Sequence, residues 1–118
     1  MVIRKEVSER MSRIVVNNGT VYLAGIVSDD KTLDIKGQAK RVFEIAEKRL
    51  KEVNSDKHNI LRAEIFVKDI YADFANFNTM WDEWVSKENP PARACVETNM
   101  ASHETLVEII FTAAVKED

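Results

Sequence analysis

The sequence predicts an α+β domain of order ββαβαββ, a sheet with two helices on one face. Three observations predict it. Two stretches carry apolar residues at spacings of three and four, stretches rich in β-branched residues flank and separate them, and an Asn-Gly turn joins the first two strands. The 118 residues suit one domain. Charged residues make up 31% and hydrophobic ones 45%, the balance of a folded chain rather than a disordered one. Seventeen Lys and Arg against twenty Asp and Glu give a net charge of −3, which implies no strong polyanion partner. A domain this small leaves much of its surface uncovered, so oligomerisation would help it bury apolar area.

Residues 1–13 lack a charged start followed by an apolar run, so no signal peptide is expected. Residues 13–16 and 20–27 read as antiparallel strands around Asn17-Asn18-Gly19-Thr20, because Asn and Gly tolerate positive φ. From 34 to 53 the period changes. Ile35, Ala39, Val42, Phe43, Ala46, Leu50 and Val53 form one helical face, with Lys and Glu on the other, until Asn54-Ser55-Asp56 ends it. Residues 60–67 return to a strand, with Leu61, Ala63, Ile65 and Val67 on one face and Arg62 and Glu64 on the other. Residues 73–86 are helical again, and Phe74, Phe77, Trp81 and Trp84 read as its buried face rather than as an aromatic ligand box. Asn89-Pro90-Pro91 stops that helix, and residues 92–98 and 105–115 are the last two strands. Helices on one face leave apolar side chains of the other face uncovered in a monomer, and self-association is the simplest remedy.

No run is long and apolar enough for a bilayer, since Glu108 interrupts residues 106–115. A single cysteine, Cys95, rules out an intrachain disulfide. Together these point to a cytoplasmic, soluble protein. Two residues stand out for chemistry. Arg93 opens a strand after Pro90-Pro91-Ala92, and Glu108 sits in an otherwise apolar strand. If the last two strands form a hairpin, the two approach each other. They then read either as a structural salt bridge or as a carboxylate-gripping fork beside a proton-shuttling acid. Cys95, two residues from Arg93, points to the same side. It reads as a packing or pocket-lining residue, though a cationic neighbour favours thiolate. His58 and His103 lack partners at metal-ligand spacing, so no metal is expected. Gly19, Gly25 and Gly37 form no phosphate loop. Lys36, Lys40, Arg41, Lys48, Arg49 and Lys51 are interleaved with Glu and read as a solvated face, not a nucleic-acid stripe.

Pro91-Ala92-Arg93-Ala94-Cys95-Val96-Glu97, followed by Val107-Glu108-Ile109, resembles the C-terminal signature of the Rid family, the YjgF-like reactive intermediate deaminases. Val21-Tyr22-Leu23-Ala24-Gly25, Phe66-Val67-Lys68-Asp69 and Asp73-Phe74-Ala75-Asn76-Phe77-Asn78 resemble other segments of it. The resemblance implies the fold of the small trimeric chorismate mutases, with ligand clefts between three subunits. It implies cofactor-free, metal-free hydrolysis of 2-imino and enamine acids to 2-keto acids and ammonia. By position, Arg93 matches the family's carboxylate-gripping arginine, Glu108 the glutamate of the hydrolytic water, and Cys95 a cleft-lining cysteine. Two departures concern the same cleft. Met11 lies near where classical members carry Tyr, and Ala24 stands where they carry Ser. Ser12 or Arg13 are candidates to replace that polarity. The alternative is a non-enzymatic protein that binds a small carboxylate in the same cleft. RNA binding, attributed to some relatives, is disfavoured by the acidic balance.

Overall fold

A computed structural model describes residues 1–117. Along the chain run strands β1 (Val2–Val7), β2 (Ser12–Asn17), β3 (Thr20–Leu23) and β4 (Ile26–Val27), then helix α1 (Ile35–Lys51). Strand β5 (Ile60–Val67), helix α2 (Ile70–Trp84) and strands β6 (Ala92–Glu97) and β7 (Val107–Ala114) follow. The strands form one sheet in the order β1-β2-β3-β7-β5-β6, and β4 pairs with β7 beyond the end of β3. All pairs are antiparallel except β5–β6. That exception follows from the connection, because parallel neighbours need a crossover and α2 is that crossover.

The first turn forms as its residues dictate. Asn18 (φ 51°) and Gly19 (φ 77°) both take the left-handed region that a two-residue hairpin requires. The strand expected over 20–27 is broken. Tyr22 pairs with Thr112 but Val27 pairs with Glu108, one step out of register, so an extra residue is accommodated at Ala24-Gly25. A second irregularity lies between Ile60 and Arg62. It puts Ile60 in the core and leaves Leu61 51% exposed, which corrects the expected alternation at that residue.

Helix α1 starts where the side chain of Asp34 accepts the amide of Gly37 at 2.9 Å. Lys48, Arg49 and Lys51 in its last turn complement the helix dipole. Helix α2 begins three residues earlier than the aromatic spacing implies, because Asp69 caps it by accepting the amide of Ala72 at 3.1 Å. Of the aromatic stripe, Phe77 and Trp81 are buried, Trp84 is half-buried and stacks on Phe43, and Phe74 is exposed.

Both helices pack on one face of the sheet. Ile14, Val21, Ile65, Ile109 and Phe111 meet Val42, Phe43 and Leu50 of α1 and Phe77 and Trp81 of α2 in a single core. The opposite face, carrying Val15, Tyr22, Phe66, Val96 and Ile110, has no helix over it, and Tyr22 and Val96 remain exposed. Strand β1 was not expected from the pattern; all six of its residues are exposed, and it is held by pairing with β2. Among the described residues, no helix is long and apolar enough to cross a membrane.

Candidate functional site

Strand β6 is the outer strand of the sheet and carries Arg93 and Cys95. Arg93 pairs with Ala63 and Cys95 with Ile65, so both point to the helix side. The Arg93 guanidinium lies 5.2 Å from the Trp81 ring centroid and 6.0 Å from that of Phe77. Its Nη2 donates to Oδ1 of Asn78 at 2.9 Å. The aromatic rings and the amide hold the half-buried fork in one orientation. Among the described residues no carboxylate pairs with it, so most of its five N–H donors are available to an external anion. Asn78 was not singled out for this role in the sequence. The available signal was an Asn inside an otherwise good helix, where its propensity is poor.

Cys95 is half-buried and unpaired. Burial pushes its thiol above the ordinary range, and the Arg93 charge offsets this only in part. The expected thiolate-favouring effect of Arg93 is therefore outweighed by burial. Alkylation by iodoacetamide is expected to be slow at pH 7 and to rise about tenfold per pH unit up to a thiol pKa above the ordinary value. Rapid alkylation at neutral pH, flat with pH, would contradict this environment.

Glu108 lies on the other face of the sheet. Its strand neighbours Val107 and Ile109 are buried against the helices, and its cross-strand partners are Phe66 and Val27. The carboxylate rests directly over Gly25, where an added Cβ would fall 2.1 Å from Oε2. The irregularity at Ala24-Gly25 and the missing side chain together make the seat for this acid.

The last two strands do not form a hairpin, because β5 runs between them. Arg93 is level with Ala63 and Glu108 with Phe66, so the two residues are offset by about 10 Å along the sheet and about 10 Å across it. They also face opposite sides. Neither the expected approach nor a structural salt bridge between them exists within one chain.

Met11, 45% exposed, closes the β1–β2 turn, where its amide donates to Ser8 Oγ and its carbonyl accepts from the Ser8 hydroxyl. Ala24 follows β3, and its amide donates to the Arg13 carbonyl. Within β2, Ser12 shares the helix side with the buried Ile14, while Arg13 lies on the open side. The residues thus fall into two groups. Asn78, Arg93 and Cys95 stand at the β6 edge, and Met11, Ala24, Gly25 and Glu108 stand toward the β2–β3–β4 end.

Of the two histidines, the His58 ring is engaged structurally, whereas His103 is held through its backbone. His58 Nδ1 is 2.9 Å from Ser86 Oγ, and the carbonyl of His103 accepts from Lys68 Nζ. Among the described residues, no three His, Cys, Asp or Glu side chains gather as a metal site would need. Arg41 forks onto Asp29 at 2.8 and 2.6 Å and reaches Glu44, which lowers the Asp29 carboxyl below its usual range. Arg49 lies 3.9 Å from Glu6.

A mixed seven-stranded sheet with two helices on one face is the fold of the small chorismate-mutase-like domains. The chain belongs to the family described as Endoribonuclease L-PSP, that of the YjgF, RutC and Rid proteins, whose model matches residues 4–115. It is 37% identical over 115 residues to a RutC family protein of Haemophilus ducreyi, covering 98% of this chain and 97% of that one. The structure of a YjgF family member from Neisseria meningitidis superposes with a TM-score of 0.96 at 34% identity, covering 100% of this chain and 98% of the other. At 28% identity over 101 residues, 80% of this chain and 79% of the relative, it is also similar to the 3-aminoacrylate deaminase RutC of Acinetobacter baylyi.

Proposed function

We propose that the chain is a cytoplasmic, cofactor-free hydrolase that converts reactive 2-imino and enamine acids to 2-keto acids and ammonia. Its cleft lies between copies of a homotrimer. The observation that carries this reading is the Arg93 fork, fixed by Asn78 and Trp81 with no internal carboxylate partner among the described residues. Such a fork matches the two oxygens of a small carboxylate. The Acinetobacter relative named a 3-aminoacrylate deaminase supports the reaction class, since an aminoacrylate is an enamine acid.

Arg93 holds the substrate carboxylate. An enamine first takes a proton at carbon and gives one up from nitrogen, becoming the imine. Water then adds to the C=N carbon while Glu108 accepts its proton and delivers it to nitrogen. The hydroxyl proton then passes by way of Glu108 to nitrogen as the carbonyl forms, so the C–N bond breaks with its electron pair going to nitrogen and ammonia leaves. No electrons are exchanged with any other group. Positioning supplies much of the rate, because the substrate is already reactive. Since Arg93 and Glu108 face opposite sides of one sheet, a cleft that uses both takes them from two chains. The uncovered apolar face supports such self-association.

Ammonia release from imines generated in situ by an amino-acid oxidase tests the reading. The chain is expected to accelerate it for at least some amino acids. No acceleration for any imine, with saturable binding of keto acids, would favour the second reading, a binding protein without turnover. The apolar side chains at Met11 and Ala24 favour that second reading. A Gly25→Ala change should lower turnover about tenfold by displacing Glu108. It should cost only about 1 kcal/mol of stability, because the clash is with the end of a flexible side chain. Unchanged turnover in this variant would argue against a role for the seated acid.

A further inference from the structure

Gln38 is a fully buried polar residue in the first turn of α1, facing the chain that enters β7. Its side-chain amide Nε2 donates to the Leu33 carbonyl at 3.0 Å and to the Glu104 carbonyl at 2.9 Å. Its Oε1 accepts the amide of Leu106 at 2.9 Å. One side chain therefore ties two segments together. The first, ending at Leu33, continues from β4, whose Val27 pairs with Glu108 and which follows Gly25, the seat of the acid. The second, from Glu104 to Leu106, leads into β7 two residues before Glu108. The carbonyl of Leu106 in turn accepts the Lys68 amide at 3.0 Å, which passes the same register on to the segment after β5.

We propose that Gln38 is a positioning residue for Glu108, acting as a clamp that fixes the strand register and the glycine seat on either side of the carboxylate. The inference rests on the hydrolase reading above and deepens it. A core position needs only an apolar side chain of the right volume. Here all three hydrogen bonds go to backbone at the end of the β4–β7 pair that holds the acid: Glu104 and Leu106 lead directly into β7, and Leu33 ends the loop that leaves β4 after Val27. Loosening the clamp lets the start of β7 shift against β4, and a shift of about 1 Å in a proton-transfer group costs on the order of a hundredfold in rate.

The test is a double-mutant cycle on the full-length protein, using Gln38→Met, which keeps length and volume but loses all three bonds, and Glu108→Gln. Imine hydrolysis is read as kcat and KM, and amide hydrogen exchange at Leu106 reports the clamp directly. Gln38→Met is expected to lower kcat ten- to a hundredfold with KM within about twofold, and to do almost nothing further in the Glu108→Gln background. An equal effect in both backgrounds would overturn the proposal, since Gln38 would then act on the fold at large. Native kcat in Gln38→Met beside a strongly impaired Glu108→Gln would overturn it while leaving the hydrolase reading intact. No activity in the native protein would remove the reading itself. If Gln38→Met does not fold, Gln38→Glu takes its place in the same cycle. When protonated it keeps an acceptor for Leu106 and one donor, so its kcat relative to native should climb as pH falls. A ratio that is flat with pH would contradict the clamp.

Discussion

Replacing Arg93 by Ala is expected to lower kcat/KM for imine hydrolysis roughly a thousandfold, corresponding to about 4 kcal/mol of lost transition-state binding. Much of the loss should appear in KM, because in the proposed reaction the fork grips a carboxylate that is present before and after water adds. Arg93→Lys should recover only part of it, since an ammonium keeps the charge but not the paired donors. The chain should stay folded. Arg93 sits half-buried on an edge strand, and its contact with Trp81 and hydrogen bond to Asn78 contribute about 1 kcal/mol, roughly 5 °C in Tm. Steady-state kinetics beside a thermal melt separates the two effects. A variant with native kcat/KM would remove Arg93 from the site.

Glu108→Gln should give the opposite kinetic signature. Losing a general acid–base group costs on the order of a hundred- to a thousandfold in kcat, while KM stays within about threefold. Stability should hold or rise, because the neutral amide is easier to place among apolar strand neighbours than a carboxylate. A collapse in KM with kcat preserved would assign Glu108 to binding instead.

Much of this architecture was legible in the sequence, for physical reasons that also explain where it was not. The periodicities at Ile35–Leu50 and Phe77–Trp81 report burial against a sheet, and those residues are buried. Strand β1 buries nothing, so it leaves no alternation to read. Asp69 marks the true start of α2, but a capping signal lies outside the aromatic spacing. The breaks at Ala24-Gly25 and Leu61 are single-residue irregularities set by partner strands distant in sequence, and alternation along one segment cannot report them. The same limit applies to the candidate site. Pro-Ala-Arg and the lone acid in an apolar strand drew attention to Arg93 and Glu108, whereas their separation depends on β5 entering between β6 and β7. Asn78 acts on Arg93 in another element, and two of the three Gln38 bonds reach Glu104 and Leu106, so these partners cannot be read from the local sequence.

The central claim is that the working cleft combines Arg93 of one copy with Glu108 of another. Mixing the inactive Arg93→Ala and Glu108→Gln proteins, with subunit exchange by mild unfolding and refolding, tests it most directly. A cleft between copies regains both residues whenever an Arg93→Ala chain supplies its Glu108 to a Glu108→Gln chain that supplies its Arg93. Random assortment should then restore about a quarter of native activity, since the two effects meet only at the shared site. Activity of the mixture no greater than that of the separate variants, with exchange verified by mass, would contradict a cleft shared in this way.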